Sequence, residues 1–346
     1  MVSRNKNSGL AMAEWPLEVR RLWQRQFAAG SPFAIDNDKV LSPVTIQGRG
    51  YTLGIFLAFL KKSNPEFLAL QNWSRWDATL IEAFVIELRH CCRETTVVLH
   101  LERLFFILRK ICPEQDFHWI YRIARRIALR APRRAHPVIS SPQLYGIGLE
   151  GLSTAQADET EARVVGHAIA FRDALLISVL AEAPMRRGSL ASLRLSDLTK
   201  VGDAWEVNAR AEHSKTRKSA EYELSHDVSA AIDVYLEDIR PRFPGSDEHD
   251  GLWASTRRCP LLRTSIGRIV GNYTLSSLGV RVSPHGFRRA AGAFIAQVDS
   301  ENIHVVRDLL GHHDFRITEQ HYLPAAQTRR AGRELARVLG SVMTST

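Results

Sequence analysis

Six residues in the last third of the chain have the types and spacing that one reaction needs: Arg186, Lys215, His285, Arg288, His312 and Tyr322. Two arginines, two histidines and a lysine can neutralise and proton-shuttle around a phosphodiester. A tyrosine hydroxyl can attack it and hold the phosphoryl group as an ester. The five-coordinate phosphorus of such a step carries extra negative charge on its non-bridging oxygens, which metal ions or fixed cationic donors must stabilise. The sequence shows no convincing cluster of acidic metal ligands. Its arginines suit the task, because a guanidinium binds two oxygens at once and never deprotonates.

The first stretch to read is Pro184-Met185-Arg186-Arg187-Gly188-Ser189-Leu190-Ala191-Ser192-Leu193-Arg194-Leu195-Ser196-Asp197. The second is His285-Gly286-Phe287-Arg288, where spacing of i and i+3 puts both side chains on one helix face. The third is Leu309-Leu310-Gly311-His312, with Tyr322 ten residues after the histidine. In this order the three resemble the motifs of the tyrosine recombinase (phage integrase) family. There the first arginine precedes leucines at +4 and +7 and an aspartate at +11. Leu190, Leu193 and Asp197 meet that register only if the arginine is Arg186. The chain departs from the pattern at Pro184, where the family usually has Gly. It departs again at Ser189, where the family usually has an acidic residue that braces the arginine. The family also places a lysine in a β-hairpin turn, and Ser214-Lys215-Thr216 resembles that segment, with Arg217 and Lys218 as neighbouring alternatives.

The resemblance implies roles. Tyr322 is the nucleophile, and with an ordinary pKa of about 10 it needs a base and positive surroundings. Arg186 and Arg288 hold the cleaved phosphate, and His312 gives it a further hydrogen bond. His285 acts as general base or proton relay, and Lys215 is the candidate acid for the leaving 5′ oxygen. The implied product is a 3′-phosphotyrosyl DNA and a free 5′ hydroxyl, made without ATP, metal or other cofactor. The implied partners are double-stranded DNA and three further copies of the chain, a tetramer on two duplexes. A need for accessory recombination proteins stays open. A phage or other mobile genetic element is the implied setting.

The elements that must position these residues follow from composition and periodicity. At 346 residues the chain has room for two domains, and its apolar fraction of 45% is that of an ordinary globular protein. No run of about 18 apolar residues or secretory signal is seen, so a membrane partner is not expected. Four cysteines without a C-x-x-C pair argue against a zinc or disulfide framework, and a cytoplasmic, nucleoid-associated protein is expected. A net charge of +9 points to an anionic partner. Arg122, Arg125, Arg126, Arg130, Arg133 and Arg134, with Trp119 and Tyr121 beside them, read as a phosphate-contacting stripe.

The expected fold is mainly α with a small antiparallel sheet. Residues 1–50, with punctuation such as GSPFAIDNDK, read as an arm or loosely structured segment. Residues 51–135 read as a helical bundle matching the family's core-binding domain in position and size. Asp77 is a plausible N-cap there, and Ile81, Phe84, Val85 and Leu88 fall on one face, as do Leu101, Leu104, Phe105 and Leu108. Residues 136–160 read as a linker with room for one short element. Residues 161–346 read as an α+β catalytic domain. It has a helix near 162–182, strands at Trp205–Val207 and Tyr222–Leu224, a helix through Ile232 and Ile239 stopped by Pro241, and an amphipathic tail helix over 329–339. The two domains would close around a duplex like a clamp. Three rivals compete: a metal-dependent relaxase, a type IB topoisomerase, and a catalytically impaired family member that only binds DNA, which Ser189 motivates.

Overall fold

The computed structural model describes residues 9–27, 41–66, 78–131, 139–157, 165–210, 219–298 and 303–310. The chain divides into two compact units, Met1–Arg134 and Ala135–Thr346. Helices dominate both, and the second also holds a three-stranded antiparallel sheet.

In the first unit, α1 (Leu17–Phe27), α2 (Pro43–Ser63), α3 (Ala78–Cys91), α4 (Glu94–Ile111) and α5 (His118–Arg130) surround one apolar core. Ser42 caps α2, its hydroxyl accepting from Thr45 N at 3.2 Å, with Pro43 as the first helical residue. Phe56, Phe59 and Phe84 cluster where α2 meets α3, and the Phe56–Phe84 ring centroids lie 4.9 Å apart edge to face. Leu101, Leu104, Phe105 and Leu108 face inward from α4. The proposed cap Asp77 lies outside the described residues.

The expectation of a loose arm over 1–50 needs correcting where the structure describes it. Val19, Trp23 and Phe27 lie on one face of α1 at i, i+4 and i+8, all buried. Trp23 stacks on Phe27 at 4.2 Å and meets Trp15 edge to face at 5.4 Å. The Gly/Pro/Asn/Asp run behind the earlier reading falls in residues 28–40, outside the described ones.

In the second unit, α6 (Ser141–Ala157) replaces the expected linker, a second correction. Ser140 and Gln143 form a reciprocal cap: Ser140 Oγ accepts from Gln143 N at 3.3 Å, and Gln143 Oε1 accepts from Ser140 N at 3.1 Å. The glycines that looked like punctuation are close-approach positions. A Cβ on Gly148 would sit 2.5 Å from Ser178 Oγ, and one on Gly151 would sit 1.7 Å from the Tyr273 hydroxyl oxygen. Glycine in a helix costs about 0.5–1 kcal/mol against alanine, which the packing of Leu144, Ile147 and Leu152 offsets.

Helix α7 (Val165–Glu182) is buried on nearly every face and forms the centre of this unit. Short α8 (Arg187–Ala191) follows, then β1 (Leu198–Val201), β2 (Ala204–Ala209) and β3 (Ala220–Glu223), in the order β1-β2-β3. Two of the strands were expected. The third, β1, is exposed along three of its four residues, so it carries no apolar alternation to read. It joins β2 through Gly202-Asp203, with Gly202 at φ 60°. Helix α9 (His226–Val234) then runs through a π turn at Tyr235–Ile239 into a 3-10 turn that holds Pro241. Helices α10 (Arg263–Leu278), α11 (Pro284–Val298) and α12 (Ile303–Leu310) complete the described part.

Candidate active site

The first motif is a packing device that aims one arginine. Leu190 and Leu193 are buried in the core, and the Trp253 indole donates to Leu190 O at 3.0 Å. Asp197 is buried too. Its carboxylate accepts from Arg194 N at 2.8 Å and from Arg210 Nε. The +4, +7 and +11 positions therefore anchor the segment, and Arg186 is the residue capping α8 with extended backbone, φ −69° and ψ 146°. Arg186 is half-buried. Arg187 is exposed and lies across α10, with Nη1 3.0 Å from where a Cβ on Gly267 would be. Pro184 also fits: Met185 N donates to Ala183 O at 2.6 Å, closing a three-residue turn whose centre suits proline's fixed φ of about −65°. Ser189 is buried in α8.

The second motif opens α11. His285 is exposed in its first turn, and Arg288, three residues on, is only 6% exposed. Burying a guanidinium is costly unless its donors are engaged. Arg288 Nη1 donates to Pro184 O, two residues before Arg186, and Nη2 donates to Leu310 O at the end of α12. One side chain thus ties the turn that presents Arg186 to the strand of chain that leads into Gly311-His312.

Sequence reasoning missed Tyr222. It sits on β3 opposite Val207, nearly buried, and its hydroxyl donates to Leu309 O at 3.2 Å. Burial raises its pKa. The charges of Arg288 and Arg186 and a hydrogen bond with Arg288 pull the other way without prevailing. The phenol therefore stays protonated while both candidate arginines act on it. The available signal was the alternation Glu221-Tyr222-Glu223, with exposed, buried and exposed side chains, which says only that Tyr222 points inward.

Arg186, His285 and Arg288 are the candidate catalytic residues that the structure describes. Arg288 links the turn before Arg186 to the end of α12. Lys215, His312 and Tyr322 lie outside the described residues, as does the tail helix. In the other unit, Arg122, Arg125, Arg126 and Arg130 are all exposed on α5, whose opposite side buries Ile120 and Ala124. Arg133 and Arg134 lie outside the described residues. Among the described residues, no three or more His, Cys, Asp or Glu side chains cluster as a metal site, and no helix is long and apolar enough to cross a membrane.

The model of the phage integrase family matches residues 154–329, just over half of the chain, so the chain belongs to that family, the tyrosine recombinases. The Sinorhizobium fredii protein y4gC, an integrase/recombinase by name, is 28% identical over 183 residues, covering 52% of this chain and 87% of its own. A tyrosine recombinase of Agathobacter rectalis is 23% identical over 151 residues, 43% of this chain and 47% of that one. Among solved structures, the post-cleavage complex of the site-specific recombinase XerH with a palindromic difH substrate superposes with a TM-score of 0.60. The identity is 14%, over 95% of this chain and 99% of that one. The Tn1549 transposon integrase, in complex with transposon right end DNA, gives 0.57 at 12% identity, over 91% and 98%. At those identities the structural matches establish the fold alone: two domains, mainly helical, with a small antiparallel sheet.

Proposed function

We propose that this chain is a site-specific DNA recombinase that cleaves and rejoins strands through a 3′-phosphotyrosine at Tyr322. The observation that carries this is Arg288, buried and donating to Pro184 O, two residues before Arg186, and to Leu310 O, two residues before His312. A phosphorane needs positive charge fixed in place, and a buried guanidinium tied to two backbone carbonyls is charge of that kind.

In the reaction, the Tyr322 hydroxyl oxygen forms a bond to phosphorus as its proton passes to His285. The bond to the 5′ oxygen breaks, and Lys215 supplies the proton that makes a 5′ hydroxyl. Arg186 and Arg288 hold the non-bridging oxygens, and His312 adds a donor. Attack by the 5′ hydroxyl of a second strand reverses the sequence and exchanges partners. The ester conserves the bond energy, so the scheme uses neither ATP nor a metal. Four copies on two duplexes would allow exchange, and a mobile genetic element is the proposed setting. The DNA-bound complexes of XerH and the Tn1549 integrase support DNA as the partner, as do the net charge of +9 and the exposed α5 arginines.

A second reading, a family member that binds DNA without cutting it, draws on Ser189, which stands where an acidic residue usually braces the arginine. Tyr322→Phe separates the two. If the chain is an enzyme, the variant binds DNA as the parent does and loses strand cleavage. If parent and variant bind alike and neither cuts, the binding-only reading holds. Equal cleavage by both would sink the assignment of Tyr322.

A further inference from the structure

The geometry points to Tyr222 as a positioning residue for strand transfer, its hydroxyl holding the end of α12, where Arg288 bonds the next carbonyl, in register with the β-sheet. This rests on the function proposed above. The hydroxyl lies where four pieces of chain meet, and each leads to a residue given a role. Strand β3 follows the segment that contains Lys215. Leu309, whose carbonyl accepts the Tyr222 hydroxyl at 3.2 Å, is three residues before His312. Arg288 bonds Leu310 O on one side and Pro184 O, beside Arg186, on the other.

A phenol suits this crossing because its hydroxyl can donate to the Leu309 carbonyl from a ring packed on the sheet. An apolar side chain could fill the inward position of β3, yet would leave Leu309 O without that link. A buried hydroxyl must find partners, and here the partners are parts of the site. Because Tyr222 stays protonated, it keeps its donor. It also does not become a second phenolate competing with Tyr322 for phosphorus.

The test uses the full-length chain, its Tyr222→Phe and Tyr222→Leu variants, and nicked duplexes that the parent protein cleaves. Single-turnover cleavage is compared with DNA binding. A second set of duplexes carries a methylphosphonate at the cleaved position, which removes one charged oxygen that an arginine would hold. If Tyr222 acts through Arg288, both variants cleave about tenfold to 100-fold more slowly, with binding within about twofold, and the deficit shrinks on the methylphosphonate. Full-speed cleavage by Tyr222→Phe with a slow Tyr222→Leu would show that only ring packing matters and overturn the proposal. An equal deficit on both substrates would overturn it too, since the effect would not run through the phosphate charge. Hydrogen exchange over residues 303–310 gives a readout that needs no cleavage. Faster exchange in Tyr222→Phe is expected, and unchanged exchange refutes the tether. Failure of the parent protein to form any adduct would instead count against the recombinase reading, and the exchange result would still decide the tether.

Discussion

Arg288 and Arg126 are the same side chain in opposite surroundings. Arg288 is buried and bonded to two backbone carbonyls from distant segments. Arg126 stands exposed on α5 with Arg122, Arg125 and Arg130 around it. The first is positive charge fixed at a point, which is what a transition state can use, since nothing must reorganise as the reaction proceeds. The second is positive charge spread over a face, which attracts a polyanion but aims at no single oxygen. The difference teaches that the two sets answer to different measurements, one to rate and one to salt.

The largest effect should come from exchanging the head group while keeping the charge. Arg288→Lys cannot reach both Pro184 O and Leu310 O, so cleavage should fall about 100-fold to 1000-fold. Stability should also drop by about 2–4 kcal/mol, read by urea denaturation, as two buried carbonyls lose a charged donor. The same exchange at Arg126 should be nearly silent in both assays. Comparable losses at the two positions would erase the distinction drawn between them.

Next come the exposed arginines. Arg122→Ala, Arg125→Ala, Arg126→Ala and Arg130→Ala should each weaken DNA binding by a similar factor on any sequence. Each should lower the slope of log affinity against log salt by about one. Binding that loses sequence preference instead would mean that α5 reads bases. A flat salt response in the parent would contradict phosphate contact altogether.

The comparison extends to histidines, read by stability rather than by rate or salt. His285 is exposed, whereas His100 is buried on α4 beside Thr52, its Nδ1 3.0 Å from the Thr52 hydroxyl. Burial, with Arg103 nearby, pushes the His100 pKa down to about 4. A histidine depressed when folded takes up its proton on unfolding, so the unfolded chain binds more protons between about pH 6.5 and pH 4. Stability conferred by keeping it neutral is thus complete above about pH 6.5 and is lost as pH falls, by up to about 3 kcal/mol. His100→Gln should flatten this part of the stability profile, measured by urea midpoints over that range. A profile unchanged by the substitution would place the acid sensitivity elsewhere.

Much of this was legible in the residues because it is local. The helices α3 and α4 declare themselves by apolar periodicity, and Leu190, Leu193 and Asp197 set the register that singles out Arg186. What stayed hidden depends on contacts between distant segments. Gly148 and Gly151 read as breakers until Ser178 and Tyr273 are seen against them. The reciprocal cap of Ser140 and Gln143 was a readable sign of α6, masked by the prolines and glycines around it. Val19, Trp23 and Phe27 fall on one helical face, a signal overshadowed by the turn-forming run that follows. Tyr222 could not be read as part of the site, because nothing in Glu221-Tyr222-Glu223 indicates that its hydroxyl bonds Leu309 O, next to the carbonyl that Arg288 holds.

The most direct measurement is to trap the protein on DNA and find the linked residue. The full chain would be mixed with nicked fragments from around its own gene, denatured, digested and mapped by mass spectrometry. The expected result is one DNA-linked peptide containing Tyr322, absent from Tyr322→Phe and strongly reduced in Arg288→Lys. A link through another residue, or clear DNA binding with no covalent product under any condition, would contradict the assignment of this site as a strand-transfer centre.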